Sequence, residues 1–188
     1  MRTALDGCLG VLFAIAALGI LGWHLQPLDG LGVALALTFL CIEQGRMALV
    51  DLNNIHQVTN DCPTDGRVRP FYRVTIITIA LELIGFYLAW YQLGLGTGFV
   101  LLSQVFFNTA AKIQLYPGSL EPIQSMGVKE RSPVLLIDAL AFGVIALWQI
   151  GQFRQAMSAL LLVMVLTYLA VKYLTTSTAA VANGGESP

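Results

Sequence analysis

Six apolar runs, each long enough to cross a lipid bilayer, constrain this chain more than any other feature. A helix rises about 1.5 Å per residue, so roughly 20 apolar residues cover a hydrocarbon core about 30 Å thick. The runs cover residues 7–24, 29–50, 71–92, 96–116, 133–150 and 153–174. They are too long and too continuously apolar for the alternating strands of an outer-membrane barrel. The predicted fold class is all-α: a polytopic integral membrane bundle of six transmembrane helices. It forms one domain over residues 1–174, and the small, polar, glycine-rich tail 175–188 is predicted to be disordered. Charged residues make up 11% of the chain, where about 25% is usual for a soluble domain. A net charge of −1 leaves no basic surface for phosphates, so no nucleic-acid partner is expected.

Every proline falls in a connection, at a span end or in the tail. None would free a backbone carbonyl inside hydrocarbon. Three connections are very short, around Leu25–Pro27, Gly94 and Gly151; two are long, 51–70 and 117–132. Arg67, Arg69, Lys129 and Arg131 lie in the long connections. Arg46, Arg73 and Lys112 lie in the turns entering them, Arg2 precedes the first span and Lys172 ends the last. Only Arg154 belongs to the other side, and the positive-inside rule makes both termini cytoplasmic. Trp23, Trp90 and Trp148 then fall near the opposite ends, as an interfacial aromatic belt requires. The first span, which is followed by no polar segment with a cleavage site, reads as a retained helix. The expected location is a plasma (inner) membrane or a thylakoid membrane.

Polar residues inside the spans are the main functional signal, because hydrocarbon tolerates them only when they pair, face a cavity or neutralise. The candidate polar core is Glu43, Arg46, Arg73, Glu82, Gln104, Asn108, Lys112 and Asp138. Gln44, Ser103 and Gln114 accompany it. Glu43 and Arg46 stand at i,i+3 and share a helix face. Gln104, Asn108 and Lys112 repeat at i,i+4, which predicts a polar stripe down the fourth span. Glu82 lies about 17 Å along its helix from Phe71, near the midplane. Arg73 points away from it and snorkels toward the cytoplasm. Three acids and three bases allow local neutrality without a bound ion. Spans one and six carry few polar groups and are expected at the periphery, with spans two to five as the core.

Motifs for known chemistry are sparse. Gly94-Leu95-Gly96-Thr97-Gly98 follows no strand and reads as a turn and a closely packed helix start, not a nucleotide loop. His24 and His56 lie outside the span interiors, so paired haem ligands are not expected, and no metal motif occurs. The three cysteines form no C-x-x-C pair, and Cys8 and Cys41 read as small apolar filler. No histidine is available to activate Ser103, so an enzymatic role is the less expected one. Glu43-Gln44-Gly45-Arg46-Met47-Ala48 resembles, over six residues, the chlorophyll-binding stretch of light-harvesting helices. It departs from that pattern in its Glu–Arg spacing of three and its missing Asn. No cofactor is therefore expected, with pigment binding as the alternative.

The function expected first is an accessory, assembly or scaffold protein of a membrane complex, docking through the cytoplasmic connections 51–70 and 117–132. Its expected partners are the lipid bilayer and a membrane protein or a second copy. The first alternative is a small polar-solute or proton-coupled transporter using the polar core. The second is a membrane enzyme acting on a lipid or isoprenoid headgroup.

Overall fold

The computed structural model describes residues 2–24 and 28–183, with side chains described at 6–24 and 30–174. Six helices are long and apolar enough to cross a membrane. They are α1 (Arg2–Trp23), α2 (Leu28–Asp61), α3 (Val68–Leu88), α4 (Leu93–Ala110), α5 (Ser132–Ile150) and α6 (Arg154–Asn183). Between α4 and α5 two short strands, β1 (Ile113–Leu115) and β2 (Ile123–Ser125), pair antiparallel with Gln114 opposite Gln124. The connection expected near Leu25–Pro27 lies outside the described residues, as does the end of the tail, 184–188. The tail predicted to be disordered from Thr175 begins as a continuation of α6.

Helices α2 to α6 form a ring in which each packs on the next and α6 returns to α2. Helix α1 lies outside the ring, against α2 and α3. Two close approaches set the helix spacing. Gly96 opens α4 where a Cβ would collide with the Ala89 backbone at the end of α3. Gly32 faces Ser158 of α6, whose hydroxyl accepts the Val33 N–H at 3.1 Å. Helix α1 is held by four bonds to its own and a neighbour's carbonyls. Cys41 Sγ donates to Phe13 O, Tyr87 to Leu12 O and Trp90 Nε1 to Ala16 O, while His24 Nε2 donates to Ala89 O at 2.8 Å. The buried core joins Phe13, Ile20, Leu37, Phe86, Val100, Ile145 and Leu161, drawn from all six helices.

Three elements depart from the sequence expectation. Helix α2 has 34 residues, about 51 Å, and runs through the stretch 51–61 that was expected to be loop. Leu52, Ile55 and Val58 repeat every three residues, and Ile55 and Val58 are buried in a second core with Val68, Phe71, Ile113, Leu115 and Ile123. The hairpin caps this core. Helix α4 ends at Ala110, short of 116, because Ile113-Gln114-Leu115 alternates apolar and polar and pairs as a strand. Helix α6 is not peripheral: it closes the ring and carries Ser158, Tyr168 and Lys172 inward. The ends of α2 and α4 and the starts of α3 and α5 share the hairpin face. Trp90 and Trp148 lie at the other face near Gly94, and Trp23 stacks there against Tyr91 at 6.4 Å.

Candidate functional site

The polar side chains of the ring fall into three groups, and the first is an ion-pair cluster. Glu43, on the inner face of α2, is 3% exposed. Its Oε1 accepts from Arg46 Nη2 at 2.8 Å and from Lys172 Nζ at 2.7 Å. Its Oε2 accepts from Arg46 Nε at 3.0 Å and from the Tyr173 hydroxyl at 2.7 Å. An ionised carboxylate has about four acceptor sites, and here all four are filled. The Arg46 guanidinium also lies 5.5 Å from the centre of the Tyr173 ring. Lys172 reaches on to the Tyr168 hydroxyl at 3.3 Å. This cluster ties α6 to α2 and leaves the carboxylate no capacity for a ligand.

The second group lies where the hairpin meets α4 and α5. Arg131 immediately precedes α5 and is 8% exposed. Its Nη1 donates to Asn108 Oδ1 at 3.3 Å and its Nη2 to Ile113 O at 3.1 Å. Its guanidinium stacks 5.2 Å from the centre of the Phe107 ring. Burial lowers the pKa of Arg131, and the carboxylate of Asp51 opposes that shift. Arginine stays protonated regardless. Asn108 then passes its Nδ2 to Asp138 Oδ2 at 3.4 Å.

The third group joins α3 to α4. Glu82, 3% exposed, accepts a hydrogen bond from Gln104 Nε2. Neither Glu82 nor Asp138 forms an ion pair with any described residue.

One crevice of about 90 Å³ lies between α2, α4, α5 and α6, and each group reaches it through a single member, Tyr168, Asp138 or Gln104. Gln44, Thr97, Gln104, Asp138 and Tyr168 are its polar lining. Gln104 leads from the crevice to Glu82, Asp138 leads to Asn108 and Arg131, and Tyr168 leads to Lys172 and Glu43. Beyond Arg131, a second cavity of about 290 Å³ lies beneath the hairpin and is lined by Asp51, Asn54 and Gln114 among others.

Of the eight predicted residues, Gln104 and Asp138 line the crevice, Glu82 and Asn108 each stand one hydrogen bond behind them, and Glu43 with Arg46 belongs to the separate ion-pair cluster. The other two stand apart. Lys112 lies past the end of α4 and is exposed, so the predicted stripe stops at Asn108. Arg73 is exposed on α3, pointing away from the ring. Their places as basic partners are taken by Arg131 and Lys172, which the sequence assigned to topology alone. The Glu82 position is served by an amide and not by a lysine. Ser103 donates to Val100 O, while His56 pairs with Asn60 and His24 with Ala89 O, so no histidine approaches that serine.

Six helices long and apolar enough to cross a membrane, closed around polar side chains, fit the class of multi-pass helical membrane proteins. No known protein family, curated protein or solved structure matches the chain.

Proposed function

We propose that the protein is a small polar-solute or proton-coupled transporter whose path runs through the crevice between α2, α4, α5 and α6. One observation carries this reading. Glu82 and Asp138 are both buried carboxyls, each bonded to a single amide, and they are linked through the polar lining of one crevice. A buried carboxyl without a cationic partner is costly in hydrocarbon and marks ion or proton pathways. A bundle needing only register would use filled clusters of the Glu43 kind. In this reading the hairpin face is cytoplasmic, following the basic residues, and the membrane is a plasma or thylakoid membrane. The crevice holds about three waters' worth of liquid at roughly 30 Å³ each, so passage of anything larger than a proton requires the helices to part.

The test is proton entry into proteoliposomes loaded with a pH-sensitive dye and energised by a potassium diffusion potential. It is run with and without a pool of amino acids, sugars and polyamines outside. Wild-type protein should acidify the lumen in at least one condition, and Glu82→Gln should abolish the signal while the protein stays folded. Vesicles that behave like protein-free controls in both conditions would overturn the reading.

The scaffold reading keeps one specific support. Leu120, in the turn of the hairpin, is fully exposed. If that turn docks a partner, replacing Leu120 with Ser should release a co-purifying membrane protein and leave proton entry unchanged.

A further inference from the structure

The cavity beneath the hairpin is distinct from the crevice and has a lining of unusual charge. Arg131 Nε is the one buried side-chain nitrogen or oxygen without a hydrogen-bond partner among the described residues. It belongs to a side chain more than nine-tenths buried that lines this cavity. The other two guanidinium nitrogens are committed to Asn108 and Ile113, and the Phe107 ring covers one face of the group. Nε itself has no surface open to the cavity, which meets Arg131 through its other atoms. The same cavity holds the Asp51 carboxylate, which makes no hydrogen bond with a described residue, together with the amides of Asn54 and Gln114. Asp51 and Arg131 line the same cavity, and the Lys172 ammonium also acts on Asp51. The rest of the lining is apolar, including Val50, Phe71 and Leu115.

A simple anion would meet Arg131 but be repelled by Asp51, and a simple cation would meet the reverse. A ligand with both charges satisfies both walls. We propose that this cavity binds a small zwitterion, its anionic oxygens toward Arg131 and its ammonium group toward Asp51, with an apolar portion against Phe71 and Leu115. The volume of about 290 Å³ sits at the small end of ligand pockets, which suits such a molecule. Two sources share this chemistry: a free amino acid with an apolar side chain, and an ethanolamine phospholipid headgroup. The site stands whether or not anything crosses the bundle.

The test is titration calorimetry on the full chain, purified in detergent free of ethanolamine lipid, with four probes. L-leucine and glycerophosphoethanolamine carry one charge of each sign, 4-methylpentanoate only the negative one and 3-methylbutylamine only the positive one. At least one zwitterion should bind saturably, and at least tenfold more tightly than either singly charged probe. Tighter leucine binding identifies the free amino acid as the source, and tighter glycerophosphoethanolamine binding identifies the lipid headgroup. Asp51→Asn removes no hydrogen bond between described residues and should fold normally. It should weaken the zwitterion at least tenfold while strengthening 4-methylpentanoate. Arg131→Lys should weaken every negatively charged probe. Absence of saturable binding by both zwitterions, equal binding of a singly charged probe, or unchanged zwitterion affinity in Asp51→Asn would each overturn the proposal. Proton entry in vesicles is read separately, so failure here is distinguishable from failure of the transport reading.

Discussion

Replacing Glu43 with Gln should destabilise the fold through α6 and spare the rest. The carboxylate receives four hydrogen bonds, two from Arg46 and one each from Lys172 and Tyr173. An amide cannot accept at its nitrogen, so both donors on that side lose their acceptor, and the two cations lose their counter-charge. Breaking a buried ion pair by removing one partner costs about 3–5 kcal/mol. That range needs reducing here, because the Arg46 side chain is 45% exposed and that of Lys172 23%, so both can regain water. Polar contacts between helices in lipid also average well under 1 kcal/mol, because the unfolded helices find other partners. Roughly 2 kcal/mol remains for Glu43→Gln. The companion experiment is the double replacement Glu43→Met with Lys172→Met, which removes opposite charges together and should recover about half the loss or more. Unfolding in mixed detergent micelles, followed by tryptophan fluorescence, reads both. A Glu43→Gln protein within about 0.5 kcal/mol of wild type would refute the assignment of this cluster as a tie between α2 and α6. So would a double variant whose loss exceeds the sum of the two singles.

Three further outcomes are expected. Gly96→Ala would drive a methyl group into the Ala89 backbone, which has no rotamer to move, so a loss of about 1–3 kcal/mol should appear in the same unfolding assay. Ile55→Ala or Val58→Ala empties the second core and should cost about 1–4 kcal/mol locally, seen as faster hydrogen exchange over residues 113–125 with exchange over 74–88 unchanged. Glu121→Cys, in a background whose native cysteines are replaced, should react with a membrane-impermeant maleimide only in inside-out vesicles. Labelling from the outside of intact cells would reverse the proposed orientation.

The helices were legible in the sequence because each apolar run meets the length requirement by itself. Elements that depend on distant partners were not. Residues 51–61 carry too few apolar side chains to read as helix, and Ile55 and Val58 gain their burial from Ile113, Leu115 and Ile123, more than 50 positions away. A period-three spacing of Leu52, Ile55 and Val58 was the available signal. Extending the i,i+4 stripe to Lys112 assumed that the helix continued, whereas the alternation in Ile113-Gln114-Leu115 marked a change to strand. Within the candidate site, Glu43 with Arg46, Glu82, Gln104, Asn108 and Asp138 followed from the cost of polar groups in hydrocarbon. Arg131 could not follow from it, since only the hairpin brings its guanidinium over Phe107 and onto Asn108. Lys172 meets Glu43 across 129 positions of chain, a pairing that no local pattern encodes.

The two ties between α2 and α6 have a mechanical consequence. Ser158 fastens α6 near Gly32 and Val33, and Lys172 fastens it again at Glu43, about 21 Å further along α6. A rod clamped at two well-separated points neither pivots nor slides against its neighbour. Helix α5 is different: it packs on α4 and α6 and buries only Asp138, Ala141 and Ile145, one residue per turn. Its far end turns directly into α6 through Gly151, whose backbone is left-handed, and its near end is fastened by Arg131. Among the described residues α5 has no such pair of ties to α2, so the α2–α6 pair is the doubly fastened frame, and α5 joins it through the short turn at Gly151. The carboxyl that α5 carries, Asp138, thus lies off that frame and is held to α4 through Asn108.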